Sequence, residues 1–307
     1  MTDKKIKGVV VPILTPLSPD ETVDTGSLRR LVNYLIDNGV HGIWASGTTG
    51  EFAALSDKER VISIETVVDA VAGRVPVIGN ISNASTQLTV NLAQAVQESG
   101  LDGIAATPPY YYPCAQDEIT DHYRYIHDRV GLPLWVYNIP QTVKSSVAPG
   151  TVATLAGEGA VVGIKDSSGA GESLAELNVL CEQGNIQLLR FLGSLFRITT
   201  ASGVGVHGAI PGLANLVPAI SASGWEAGEA GDTETARNCD AQLIAASRIM
   251  NIAGGGGANA ASFSGMKSAL KIMGVLDSDT VSRPLRPLTD EEKQRIPAIL
   301  KELDLLN

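Results

Sequence analysis

Val161-Val162-Gly163-Ile164-Lys165-Asp166-Ser167-Ser168-Gly169 reads as a short apolar strand that runs into a turn, with a lysine near its end. A strand covered on both faces is a nearly continuous apolar run, and such strands belong to parallel sheets. An ammonium in that setting is costly unless it is paired or gives up its proton. A lysine without its proton is a nucleophile, and its natural target is a carbonyl carbon. The plainer alternative is a strand-end lysine whose head reaches solvent. By strand alternation Val161, Gly163 and Lys165 share one face, and Val162 and Ile164 the other. Gly163 leaves space below the amine if that face is the interior of a barrel.

The same unit recurs along the chain. Strands are expected at residues 9–14, 42–46, 75–80, 103–107, 133–138, 161–165, 187–192 and 205–210. Helical spacing follows each of them. Residues 25–38 carry Leu28, Leu31, Val32, Leu35 and Ile36 on one face, and Gly39 closes the helix. Ser56 and Glu59 form a capping box that opens a helix to about residue 72. Further helices are predicted at 87–98, 117–129, 149–156, 172–182, 195–202 and 216–224. Strands alternating with helices pair in parallel through right-handed crossovers, and eight such units suit a closed (β/α)8 TIM barrel. An open doubly wound sheet usually shows a glycine-rich first turn, whereas this first strand ends in Thr15-Pro16. The rhythm then stops. Residues 233–253 and 262–273 read as helices, and Thr289 with Glu292 is a second capping box opening a helix to about 303. The division expected is a barrel over 1–228 that holds the active site, and a C-terminal helical extension over 229–307. The Gly254–Gly257 run lacks a preceding strand and a following Lys-Ser or Lys-Thr, so it reads as a linker.

The 307 residues are 44% hydrophobic, which suits a folded globular chain. A formal net charge of −10 argues against nucleic acid and anionic membranes, which call for clustered Lys and Arg. A small anionic substrate needs only local donors and stays open. Cys114, Cys181 and Cys239 are odd in number, far apart and free of any CxxC, so neither a disulfide framework nor a zinc site is indicated. The basic N-terminus leads into a short apolar run broken by Pro12, a poor signal peptide. No stretch approaches the roughly 18 apolar residues of a membrane helix. The location expected is cytoplasmic.

Active sites of such barrels lie at the C-terminal ends of the strands. Lys165 stands near the end of strand six. Trp135 and Tyr137 share a face of strand five, with Tyr137 at the top, where a phenol serves as acid–base partner for imine chemistry. A strand tyrosine is otherwise an ordinary core residue. Gly47-Thr48-Thr49-Gly50 ends strand two, and its backbone N–H groups and two hydroxyls suit a carboxylate, or form a plain turn. A carboxylate cradle, a hydroxyl and an amine at strand ends two, five and six are what a 2-oxo acid needs. Metal chemistry would require a ligand cluster. Of His41, His122, His127 and His207, only His122 and His127 lie close in sequence, and their spacing of five puts them off one helix face, so no metal is expected.

Gly47-Thr48-Thr49-Gly50-Glu51, Pro109-Tyr110-Tyr111, Tyr137-Asn138-Ile139-Pro140 and Gly163-Ile164-Lys165-Asp166 occur in one order and register. With them the chain resembles the dihydrodipicolinate synthase / N-acetylneuraminate lyase family of pyruvate-type class I aldolases, over nearly its whole length. The resemblance implies a (β/α)8 barrel with C-terminal helices, assembled as a homotetramer built from dimers. It implies that Lys165 forms a Schiff base with a 2-oxo acid and that Tyr137 is the general acid/base. It implies that Thr49, with backbone N–H groups from Gly47 onward, holds the substrate carboxylate. Thr48 would connect Tyr137 to Tyr111, a residue that in the family reaches in from the neighbouring subunit. Ile210 matches a position whose carbonyl faces the lysine. The imine forms on the substrate, so no cofactor is implied, and the partners expected are a 2-oxo acid and an aldehyde.

The sequence departs from the pattern at Thr142. Dihydrodipicolinate synthases proper carry an arginine two residues after Tyr-Asn-x-Pro to grip the carboxylate of the aldehyde, and Lys144 offers no bidentate fork in its place. That shifts the expectation from 4-hydroxy-tetrahydrodipicolinate synthesis toward aldolases or dehydratases of 2-keto-3-deoxy sugar acids. Residues 80–84 and 194–197 also look unusual and are expected to shape the second substrate. A non-catalytic 2-oxo-acid-binding protein on the same fold is the remaining alternative, since fold alone does not fix function.

Overall fold

The computed structural model describes residues 6–169, 171–194 and 197–306. Eight parallel strands close into a barrel in chain order: β1 (Gly8–Pro12), β2 (Gly42–Ala45), β3 (Val77–Asn80), β4 (Gly103–Ala106), β5 (Leu134–Asn138), β6 (Gly163–Asp166), β7 (Leu189–Leu192) and β8 (Gly208–Ala209). Helices Thr25–Asp37, Asp57–Val71, Thr86–Val96, Gln116–His127, Pro149–Gly157, Glu172–Gly184 and Pro218–Ala230 surround it. This is the (β/α)8 barrel that the strand–helix rhythm predicted.

Side-chain alternation divides the apolar residues between two cores. Val10, Trp44, Ile78, Ala105, Trp135, Tyr137 and Phe191 fill the interior. Val9, Val11, Ile43, Val77, Ile104, Val136 and Ile164 face the helices and form the larger outer core. Trp135 is the central filler, edge-on to Trp44 at 6.3 Å and to Phe191 at 5.5 Å between ring centroids. It stands opposite Gly163 in the β5–β6 register. A Cβ at Gly163 would lie 2.5 Å from Trp135 Cε3, so the glycine is what lets the indole in. The space below Lys165 is thus filled by a ring. Val161 departs from the expected face: it packs in the outer core, because the strand and its alternation begin only at Gly163.

Two expectations fail around β7 and β8. The helix predicted at 195–202 begins at Leu195 and Phe196, outside the described residues, and 198–201 form turns before a short 3-10 helix at Ser202–Val204. Thr199, Thr200 and Gly203 favour a helix weakly. Helix Pro218–Ala230 also presses in there, with Gly228 so close that a Cβ would lie 2.1 Å from the Thr199 carbonyl oxygen. β8 is two residues long where six were predicted, since Gly205 takes a left-handed φ of 75° and ends any extended run.

Beyond the barrel come helices Thr233–Met250, Ala258–Ile272, Asp290–Lys293 and Ile296–Glu302. Their Leu243, Ile249, Met266, Leu270 and Leu300 join the outer core of the barrel. The Thr289–Glu292 capping box is present. The single helix expected after it is broken, because Pro297 has no N–H to return to Lys293. Only half of the Ser56–Glu59 box forms: Ser56 Oγ accepts from Glu59 N, while the Glu59 carboxylate accepts instead from Val23 N at 2.7 Å. No helix among the described residues is long and apolar enough to cross a membrane.

His122 is a core residue, 3% exposed. Its Nε2 donates to the Thr107 carbonyl at 3.2 Å, and its Nδ1 accepts from the Thr86 hydroxyl at 2.9 Å. Burial pushes its pKa down from 6.5 to about 4. The folded pKa is depressed, so the stabilisation is present above pH 6.5 and is lost as pH falls toward 4. Urea unfolding of the wild type and of His122→Gln at pH 7 and pH 5 checks this. The wild type should lose more stability on acidification than the variant, and equal losses contradict the assignment.

Candidate active site

The register of β5 on β6 pairs Tyr137 with Lys165 at the C-terminal end of the barrel. Both point inward, and Lys165 is only 4% exposed. Its Nζ lies 4.2 Å from the centroid of the Tyr137 ring and 5.2 Å from that of Trp44. The aromatic faces offer an ammonium some attraction. Asp166, next in sequence, faces the other way. Its carboxylate accepts from Asn138 Nδ2 at 2.8 Å and from Ser168 Oγ at 3.0 Å, so it is no counter-ion for the lysine. Asn138 Oδ1 in turn accepts from Val147 N at 3.0 Å. This brace ties the ends of β5 and β6 together behind Lys165 and Tyr137, and the Asn138 and Asp166 positions inside the two motifs were the only sequence signal for it.

The loop after β2 brings in the third group. Ser46 and Glu51, with φ of 54° and 58°, bracket Gly47-Thr48-Thr49-Gly50. The tight path swings Thr48 over the barrel mouth, where its Oγ1 is 3.0 Å from the Tyr137 hydroxyl. Gly50 lies where a Cβ would stand 3.0 Å from the Ile13 carbonyl oxygen. Thr49 and Gly47 flank Thr48 in the same turn. Lys165, Tyr137 and Thr48 therefore converge from three strand ends.

Other predicted residues fall around this centre. Ile210 lies in the inner core with Tyr137, its N–H donating to the Leu192 carbonyl at 2.8 Å. Thr142 sits in a one-turn helix, Pro140–Val143, that the sequence did not suggest. Together with Thr48, Phe52, Tyr110, Phe263 and Leu285 it lines a cavity of about 580 Å³ above the barrel mouth. Tyr111 of the same chain lines this cavity as well. It is 82% exposed, holds a φ of 85° that a bulky residue rarely adopts, and stands edge-on to the ring of Tyr112. Asn80 and Ser82, expected to shape the second substrate, are fully buried instead. Ser82 Oγ accepts from Thr107 N and donates to Asn80 Oδ1, which makes them structural. Among the described residues no group of three or more His, Cys, Asp or Glu is placed to hold a metal.

One wall of the cavity comes from the C-terminal extension, through a buried polar latch the sequence reading missed. Glu51, the last residue of the β2 loop motif, forms an ion pair with Lys267 of helix Ala258–Ile272. Its Oε2 also accepts from Ser282 N and Oγ at 2.7 and 2.6 Å. Lys267 is fully buried and donates to the Thr280 carbonyl at 2.8 Å. Burial pushes the Lys267 pKa down, and Glu51 opposes the shift.

A parallel barrel with its reactive groups at the C-terminal strand ends is an enzyme architecture. The sequence pattern of the Dihydrodipicolinate synthetase family matches residues 5–303. A 4-hydroxy-tetrahydrodipicolinate synthase from Trichlorobacter lovleyi is 35% identical over 98% of this chain and 99% of its own. A DapA-like lyase from Halobacterium salinarum is 31% identical over 98% and 95%. Among solved structures, the dihydrodipicolinate synthase of Bacteroides thetaiotaomicron superposes with a TM-score of 0.91 at 30% identity, covering 98% of this chain and all of that one. A prophage protein of E. coli in the same family, solved in complex with pyruvate, gives 0.89 at 26%, covering 97% and 99%. The chain belongs to the dihydrodipicolinate synthetase family of aldolases and lyases.

Removing one partner of a buried pair strands the other charge. Glu51→Ala should cost about 3–5 kcal/mol in urea unfolding, while Glu51→Gln with Lys267→Met should recover much of it. A Glu51→Ala variant as stable as the wild type would show that the latch carries no weight.

Proposed function

We propose that the protein is a Schiff-base-forming class I aldolase or lyase that makes or breaks a carbon–carbon bond next to a 2-oxo acid such as pyruvate. The observation that carries this reading is the convergence of Lys165, Tyr137 and Thr48, with the 3.0 Å contact between the two hydroxyls. The deprotonated Lys165 Nζ adds to the ketone carbon. The carbinolamine oxygen leaves as water, taking a proton from Tyr137 and leaving an iminium on the lysine. The deprotonated Tyr137 oxygen then takes a proton from the adjacent carbon, and the iminium draws in the electrons of that C–H bond to give an enamine. Its carbon attacks an aldehyde carbon, whose oxygen takes up a proton, and water then releases the product from Lys165. Cleavage runs the same steps backward. These steps need no metal or organic cofactor.

Thr49 and the backbone N–H groups of the Gly47–Gly50 turn would hold the carboxylate of the 2-oxo acid, and the Ile210 carbonyl would face the lysine. Tyr111 would serve the site of a second copy, with Thr48 relaying between it and Tyr137. Its 82% exposure supports this, since most of the ring is left uncovered within one chain. A homotetramer built from dimers follows from that reading. One solved relative is described as a monomeric dihydrodipicolinate synthase variant, so assembly is a separate variable within the family. A cytoplasmic location fits the substrates.

The cavity over Thr48 would take the aldehyde. Its lining cations are Arg283, largely exposed and 3.0 Å from Glu21, and Lys144, whose Nζ donates to the Gln141 carbonyl at 3.3 Å, and neither offers the fork of an arginine at position 142. Thr142 supplies no charge. That favours an acceptor other than aspartate semialdehyde, with cleavage or dehydration of a 2-keto-3-deoxy acid ahead of 4-hydroxy-tetrahydrodipicolinate synthesis, the reaction named for several relatives.

Enamine formation exchanges the methyl protons of pyruvate with solvent. In D2O the wild type should therefore deuterate pyruvate, followed by proton NMR. Tyr137→Phe should slow the exchange by about 10²–10⁴-fold, and Lys165→Ala should abolish it. Exchange that persists in Lys165→Ala would refute the mechanism.

A further inference from the structure

Arg60 lies in the first turn of helix Asp57–Val71, where an arginine ordinarily reaches water, yet it is 2% exposed. Its guanidinium donates to the carbonyls of Ser82 at 2.8 Å and Asn80 at 3.0 Å, and Nε lies 3.4 Å from Ser46 Oγ. The Phe52 ring covers it, 5.0 Å from Cζ. The nearest carboxylate, Asp57, is 3.8 Å away and more than half exposed. Burial pushes the Arg60 pKa down to about 10, so the side chain is still a cation at neutral pH. A charge held away from water with so weak a counter-ion is expensive.

The cost has a structural counterpart. Ser46 is the left-handed residue that launches Gly47-Thr48-Thr49-Gly50. Asn80 and Ser82 end β3, and Asn80 Nδ2 donates back to the Ser46 carbonyl at 2.8 Å. Ser82 Oγ receives Thr107 N at 2.8 Å, at the end of β4. Phe52 meets Tyr110 edge-on at 6.2 Å, next to Tyr111. One planar fork thus spans the ends of β2 and β3 and, through Ser82 and Phe52, braces the β4 loop. Only a guanidinium has donors fixed in such a plane.

We propose that Arg60 is a positioning residue for catalysis: its fork fixes the Ser46–Thr49 loop so that Thr48 meets the Tyr137 hydroxyl. The proposal rests on the assignment of Tyr137 as proton carrier and adds a residue that touches no substrate.

The test is deuterium uptake by pyruvate with the wild type, R60K, R60Q and R60M, at a temperature where each is folded by circular dichroism. The turnover number for exchange should fall by about 10²-fold in R60M and R60Q, the size of loss expected from a small misplacement, with a smaller change in KM for pyruvate. R60K should fall as far, since an ammonium does not reach the Ser82 and Asn80 carbonyls and the Ser46 hydroxyl together from one plane. Free guanidinium ion should restore part of the R60M rate. If R60M does not fold, R60K and R60Q carry the comparison. Folded variants that exchange at the wild-type rate while unfolding at lower temperature overturn the proposal, leaving Arg60 a stability residue. R60K at the full rate overturns it too, since charge alone would then suffice. A wild type that exchanges beside unimpaired variants removes this inference alone, whereas a wild type that exchanges nothing removes the Schiff-base reading with it.

Discussion

The site depends on the register between β5 and β6. Strand side chains alternate, so a slip of one residue would turn Lys165 out into the helical layer and bring Ile164 into the barrel mouth. Trp135 and Gly163 prevent that slip. The indole fills the barrel floor against Trp44 and Phe191, and it fits only where its partner strand offers no Cβ. Two residues further on, at the barrel mouth, the same two strands place Tyr137 against Lys165. Tyr137 and Lys165 are thus held by packing beneath them and by the Asn138–Asp166 brace behind them, with no direct bond needed between the two side chains.

Above the barrel, position is set by buried polar groups. The β2 loop is gripped on one side by Arg60 and on the other by the Glu51 latch to Lys267 and Ser282. Buried charges are poor stabilisers compared with apolar residues of similar volume, though removing one partner is costly. Their presence on both flanks of one short loop matches a demand for a fixed geometry at Thr48. The latch also makes the C-terminal helices part of the site. Through it, and through the cavity wall at Phe263 and Leu285, the extension shapes the cavity that Thr48 lines.

Much of this was legible in the chain. The eight strand–helix units, the inward pairing of Tyr137 with Lys165 and the loop carrying Thr48 follow from local periodicity and from motifs on strand ends. What stayed hidden was long-range. Lys267 reads as one more helical lysine until the fold brings Glu51, 216 residues earlier in sequence, against it. Arg60 follows a helix cap and reads as solvent-facing. Asn80 and Ser82 read as an odd loop, whereas the barrel buries them between strand ends. The helix expected at 195–202 illustrates the opposite error, in which weak helical periodicity gave way to the close approach of helix Pro218–Ala230. Trp135 occupies the room inferred from Gly163, since a glycine marks a close approach without saying by what.

The central claim is that the buried amine of Lys165 condenses with a 2-oxo acid. Sodium borohydride added to the protein with pyruvate reduces any such imine to a stable secondary amine, and peptide mass spectrometry locates it. The account predicts a single modification on the peptide that carries Lys165, dependent on pyruvate. A protein that consumes or exchanges pyruvate while that peptide stays unmodified would contradict it.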